Sequence, residues 1–137
     1  MTDMHTNQIN RPDIHSEVMA AVMRYESALV ANDIAVLDEL FWRSEHTVRD
    51  GATEMLYGAD EIAAFRKARP SKGLARRIRR LVVTTFGTDF ATANLEFERE
   101  GAPTIGRQSQ SWLRMPEGWK VVSAHISSIP LSMGKVE

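Results

Sequence analysis

Two side chains in the N-terminal half of the sequence have the chemistry to bind and protonate a small anion. Arg49 lies in EHTVRDG (45–51), which is typical of a short strand running into a glycine turn. Tyr25 lies in MRYES, inside a segment of helical periodicity. An arginine can bind a carboxylate through two parallel N–H groups. A tyrosine hydroxyl can donate a hydrogen bond or a proton.

Each of these side chains also has a purely structural interpretation. Arg49 can be a solvated rim charge paired with Asp50 or Glu54. Alternation places it on the face opposite Val48, but so short a strand does not indicate which face points inward. Tyr25 follows the apolar stripe of a helix, where a tyrosine hydroxyl commonly finds a partner. The residues alone leave both alternatives open.

Two amides in the C-terminal half form a further candidate site. In IGRQSQSWLRM (105–115), Gln108 and Gln110 alternate onto one face together with Trp112. We expect this face to point inward and the serine face to point outward. Two amides inside an apolar interior are typical of a pocket for a small ligand.

The composition excludes several kinds of site. The chain has no cysteine, so a disulfide framework and a catalytic thiol are excluded. His46 and His125 are isolated, and no metal site is expected. There is no glycine-rich phosphate loop and no Gly-x-Ser-x-Gly nucleophile motif. We therefore expect a site that works without a metal or other cofactor.

Charge and length limit the partners. The net charge of −1 argues against a nucleic-acid binder. Eight Lys or Arg occur over 66–80, either as a solvated surface or as a positive field near an anion pocket. The 137 residues fit a tail over 1–8 and one domain over 9–137. With no long apolar run and no signal-peptide pattern, we expect a cytoplasmic protein that does not contact membranes.

The candidate residues must be positioned by helices followed by strands. A helix starting at Pro12 has a stripe of Ile14, Val18, Val22, Tyr25 and Leu29. A second helix over 34–42 is capped by Asn32 or Asp33. Two short strands surround a glycine turn, and a third helix follows, capped near Asp60. Four strands come after it, over 75–86, 90–99, 105–115 and 119–129, separated by Gly, Pro and Asp turns.

These elements predict an α+β fold. The short connections require an antiparallel meander, and the three N-terminal helices are available to cover one of its faces. We expect a strongly curved, cone-shaped antiparallel sheet wrapped around these helices, with an open mouth. In the last strand, Val122, Ala124 and Ile126 are expected inside and His125 outside.

The order of elements resembles the SnoaL-like, nuclear-transport-factor-two-like cone, also described as cystatin-like, which ketosteroid isomerase shares. The segments RYESALVANDIAVLDELFW, TVRDG, LYGADEIAAFRKARP and GRQSQSW…PEGWKVVSAHIS look like the AtzH/HpxZ family of cyanuric acid and oxalurate breakdown. The resemblance extends from about Ile9 to about Pro130.

The resemblance implies a decarboxylating amidohydrolase that converts 1,3-dicarboxyurea to allophanate. Tyr25 and Arg49 match the family's essential tyrosine and arginine. From their placement, we further expect Gln108 and Gln110 to hold the urea core, and Arg66 to bind the second carboxylate of a dicarboxylate substrate. The alternatives are a non-catalytic protein that binds a small carboxylate, and an isomerase or dehydratase. We also expect a homodimer or larger homo-oligomer formed through the outer sheet face.

Overall fold

The first long helix places Tyr25 in the protein interior. The computed structural model describes residues 6–134. Helix α1 (Pro12–Ala31) has proline in its first turn and ends where Asn32 adopts a left-handed conformation. All five residues of the predicted stripe are buried, so this prediction is confirmed.

Two shorter helices follow α1. Helix α2 (Ile34–Leu40) is capped by Asp33, whose carboxylate accepts a hydrogen bond from the Val36 N–H at 3.3 Å. Helix α3 (Ala59–Ala68) begins directly after Gly58. Short 3₁₀ turns occupy Thr6–Gln8 and Leu131–Gly134. Residues 1–5 of the predicted tail lie outside the described part of the chain.

Six strands form one sheet. They are β1 (Val48–Asp50), β2 (Met55–Tyr57), β3 (Arg77–Phe86), β4 (Phe90–Glu98), β5 (Thr104–Met115) and β6 (Gly118–Pro130). The sheet order is β2-β1-β6-β5-β4-β3. The four long strands form the predicted antiparallel meander, while β1 joins β6 in parallel, which makes the sheet mixed. The predicted α+β cone is confirmed.

The inner face of the last two strands is set by a β-bulge. Gln108, Gln110 and Trp112 are buried, as predicted for β5. The register between β5 and β6 shifts between Ser111 and Trp112, so Trp112 faces Val121. Val121 is therefore fully buried, and the prediction that Val122 points inward is wrong. A bulge inserts one residue and reverses the alternation beyond it.

The sheet curves around the apolar side of α1. Trp112 on β5 and Val121 on β6 are among the fully buried residues of the resulting core. Within residues 6–134, no helix has the length and apolar character needed to cross a membrane. Helix α1 packs against β3, and α2 packs against β6.

Candidate active site

Arg49 points into the protein from β1. It is only 5% exposed and pairs in register with Leu56 on one side and Ala124 on the other. Its Nη1 donates a hydrogen bond to the Glu54 carboxylate at 2.8 Å, and its guanidinium lies 5.1 Å from the centre of the Phe65 ring. The Glu54 pairing foreseen for a rim charge therefore exists, but it is inside the protein.

The Tyr25 hydroxyl is unengaged. The side chain is 2% exposed, and its ring lies 6.1 Å from the Phe41 ring, centre to centre. No residue between 6 and 134 forms a hydrogen bond with the hydroxyl. A core tyrosine normally has such a partner. This hydroxyl is thus available to a ligand.

Tyr25 and Arg49 line the same cavity, of about 180 Å³. This volume equals that of about six water molecules, at about 30 Å³ each. The other lining residues are Leu29, Gly51, Ala52, Glu54, Arg69, Leu74, Arg76, Arg99 and Ile126. The cavity is thus small, and arginines are its main polar groups.

The arginines of the cavity are held by two phenylalanine rings. Besides Arg49, Arg69 lies over the Phe65 ring, 5.9 Å from its centre. Arg76 and Arg99 lie over Phe97, at 4.2 and 4.9 Å from the ring centre. Contacts of this kind orient guanidinium groups without neutralising them. The cavity therefore keeps a positive character.

Arg76 is the most fully paired of these arginines. Its Nε and Nη2 donate to the two carboxylate oxygens of Glu26 at 2.9 and 2.7 Å. Nη2 also donates to the Gln108 Oε1 at 3.1 Å. Gln108 thus helps to orient Arg76 and is absent from the cavity lining.

The pKa of Glu54 reflects its position beside Arg49. Burial on its own would raise the pKa of this carboxyl. Hydrogen bonds from Thr53 and Arg49, with the charge of Arg49, outweigh burial and lower the pKa below its usual value. Glu54 is therefore an ionised counter-charge for Arg49 and a weak base.

Gln110 and Arg66 are also absent from the cavity lining. The Gln110 Oε1 accepts a hydrogen bond from the Trp112 Nε1 at 3.1 Å. Arg66 is 2% exposed, and its Nη1 donates to Asp38 at 2.9 Å. It lines a separate cleft of about 470 Å³. The substrate-binding roles expected for Gln108, Gln110 and Arg66 stay predictions.

Sequence reasoning missed Arg69, Arg76 and Arg99 as site residues. Arg69 and Arg76 belong to the basic segment 66–80, for which a positive field near an anion pocket was one interpretation. The alternative interpretation, a solvated surface, applies to another part of this segment, because Arg77 and Arg79 pair with Glu98 on the surface. Arg99 follows β4, and no local pattern connects it with the others.

Gly51 leaves room for the carboxylate of Glu54. A Cβ at position 51 would lie 1.9 Å from the Glu54 Oε2. We expect Gly51→Ala to displace Glu54, leave Arg49 unpaired and lower the free energy of unfolding by about 1–3 kcal/mol. Thermal unfolding measures the change. In a Glu54→Ala background the same substitution should cost much less, and equal costs in both backgrounds would contradict this explanation.

Comparisons with known proteins agree on one family and one fold. The AtzH-like family model matches residues 7–132. The chain is 55% identical to a protein of unknown function from Pectobacterium atrosepticum, with a TM-score of 0.91 over 93% of this chain and 99% of that chain. It is 47% identical to a cystatin-like fold protein from Burkholderia xenovorans, with a TM-score of 0.86 over 89% and 96% of the respective chains.

A more distant neighbour shows the fold alone. An NTF2-like protein of unknown function from Pseudomonas putida is 18% identical, with a TM-score of 0.74 over 92% of this chain and 94% of that chain. None of the curated proteins compared with the chain matches it. The assignment of chemistry therefore depends on the cavity itself.

Proposed function

The chain belongs to the AtzH-like family, and from this premise we propose that it is a small, cofactor-independent amidohydrolase that removes a carboxylate from an N-carboxylated urea. The reaction is the conversion of 1,3-dicarboxyurea to allophanate. One observation carries the proposal: the unengaged Tyr25 hydroxyl and the buried Arg49 line the same small, arginine-rich cavity.

The size and charge of the cavity support this substrate. A volume of about 180 Å³ suits a compact ligand. Four arginines and a single carboxylate, that of Glu54, belong to its lining. Guanidinium groups match carboxylates in shape and charge. Such a lining is complementary in size and charge to a small planar dianion.

The reaction requires one bond to break and one proton to be delivered. The bond between a urea nitrogen and one carboxylate carbon breaks, and carbon dioxide leaves. The electron pair stays on the nitrogen and takes up one proton, which gives allophanate. Hydration of carbon dioxide to bicarbonate makes the net reaction a hydrolysis of the C–N bond.

Tyr25 is the proposed proton donor. Its hydroxyl has no competing partner in residues 6–134, so it can approach the departing nitrogen directly. The phenolate left behind shares the cavity with the guanidinium groups of Arg49 and Arg69, whose positive charge stabilises it. Water then returns a proton to the phenolate.

Arg49 is the proposed stabiliser of the charge that moves during bond breaking. Negative charge passes from the leaving carboxylate to the nitrogen and the urea oxygen. A guanidinium aimed at these atoms binds the transition state more strongly than the substrate, which accelerates the reaction. Phe65 and Glu54 fix the orientation of Arg49.

The direct test uses freshly generated 1,3-dicarboxyurea. Allophanate formation is followed with and without protein, since N-carboxylated ureas also break down spontaneously. We expect the wild-type protein to exceed the spontaneous rate in proportion to its concentration. No acceleration at any concentration would overturn the proposed activity.

The same lining also favours a second candidate, a non-catalytic protein of ureide catabolism that binds a small carboxylate. Arginines that bind a carboxylate do not by themselves break a bond. Tight binding of oxalurate together with no turnover of 1,3-dicarboxyurea would select this candidate. An isomerase is disfavoured because Glu54, the carboxylate in the cavity, is committed to Arg49.

A further inference from the structure

Two of the guanidinium groups that line the cavity lack a carboxylate partner. Arg49 pairs with Glu54, and Arg76 pairs with Glu26. Across residues 6–134, no Asp or Glu lies within ion-pairing distance of the two other cavity arginines, Arg69 and Arg99. Two positive charges in the cavity lining, those of Arg69 and Arg99, therefore have no counter-ion among the described residues.

Arg69 is the more unusual of the two. Its Nε and Nη2 atoms are buried and have no hydrogen-bond partner among the described residues. Burying a charged donor without a partner is unfavourable, and such groups are rare in folded proteins. A bound anion that accepts hydrogen bonds from Nε and Nη2 would explain why this guanidinium is buried without a protein partner.

Arg99 is partly engaged and pre-oriented. Its Nε donates to the carbonyl oxygen of Gly73 at 3.0 Å, and its guanidinium lies over Phe97. Its Nη atoms make no hydrogen bond within the described residues, and the side chain lines the cavity. The group is thus fixed in place with its outer donors unused.

We propose that Arg69 and Arg99 determine specificity for a dianion, each supplying the counter-charge for one of two carboxylates on a single small ligand. The inference deepens the proposed function and rests on it for the identity of the natural substrate. Both carboxylates of the ligand are thereby assigned to arginines that line this cavity, Arg69 and Arg99. A monoanion leaves one of the two guanidinium groups without a counter-ion and is disfavoured.

The electrostatic surroundings agree with this assignment. Burial lowers the pKa of Arg69, and the nearby charge of Arg49 lowers it further. Burial lowers the pKa of Arg99, and the charge of Arg76 adds to the effect. Like charges held together in a partly buried site favour the entry of anions.

The test compares two inert probes that differ by one carboxylate, glutarate and butyrate, by titration calorimetry. A hydrogen-bonded charge pair gives about a 10- to 100-fold difference in Kd, so we expect the wild-type protein to prefer glutarate by at least tenfold. Arg69→Met and Arg99→Met should each reduce this preference to less than about threefold. The exposed Arg80 provides the control, and Arg80→Met should leave it unchanged.

Thermal unfolding checks that the variants are folded, and Arg69→Gln and Arg99→Gln replace any methionine variant that is not. If the Arg69 variant and the Arg99 variant both keep the wild-type preference for glutarate over butyrate, the inference is overturned. Equal affinity of the wild type for both probes, or no binding of either, also overturns it. If the variants lose the preference for glutarate but the wild-type protein does not turn over 1,3-dicarboxyurea, only the proposed reaction is wrong. If the wild-type protein turns over 1,3-dicarboxyurea but the variants keep the preference, only this inference is wrong.

Discussion

Tyr25→Phe should lower kcat for 1,3-dicarboxyurea by about 10²- to 10⁴-fold, the range for loss of a general acid. KM should change little, since the arginines of the cavity remain. The free energy of unfolding should also change by less than about 0.5 kcal/mol, because the hydroxyl has no hydrogen-bond partner among residues 6–134 to lose. Steady-state kinetics and thermal unfolding on the same preparation measure both effects.

The chain provides a matched control, since it has two tyrosines. Tyr57 is 59% exposed and is absent from the cavity lining. Tyr57→Phe should retain wild-type kcat. A Tyr25→Phe variant with wild-type kcat would remove Tyr25 from the mechanism. A large loss of stability would show instead that the hydroxyl has a structural role.

The sequence predicts best where periodicity is long. The stripe of α1 runs over four turns, so Tyr25 was placed on the buried face correctly. The face of β5 favoured as the inner one, with Gln108, Gln110 and Trp112, is also the buried one. Alternation defined the two faces of this long strand, but both carry polar residues, so the pattern alone did not decide between them.

Prediction fails where a local irregularity or a long-range pairing decides. The bulge at Val122, which has no partner on β5, changes which valine is buried, and no turn residue marks it in the sequence. Strand β1 has three residues, too few for alternation to choose its inner face. Pairing with β6, far along the chain, makes Arg49 point inward.

The arginines of the cavity illustrate the same limit. Arg69 follows α3, Arg76 precedes β3 and Arg99 follows β4. Their convergence depends on how the helix and strands pack, which is a property of the tertiary structure. Charge density in the sequence allowed a positive field near a pocket as one of two interpretations, and it did not distinguish Arg76 from the surface residue Arg77.

Arg49→Lys should lower kcat/KM for 1,3-dicarboxyurea by about 10²- to 10³-fold, the range for removing one preorganised charge-stabilising donor. The charge is kept, but lysine lacks the planar fork and the delocalised cation that lies over Phe65. The Nη1 that pairs with Glu54 at 2.8 Å is also lost. Because the proposed role concerns the transition state, kcat should fall more than KM rises.

The control is Arg77, a strand arginine that, like Arg49, pairs with a glutamate but lies on the surface. Arg77 pairs with Glu98 at 2.7 Å, and its side chain is 71% exposed. Arg77→Lys should leave kcat/KM within about twofold of wild type, because exposed ion pairs contribute little. If Arg49→Lys raises KM alone and leaves kcat intact, Arg49 holds the substrate without assisting bond breaking. Tyr25 and its cationic neighbours would then account for the whole acceleration.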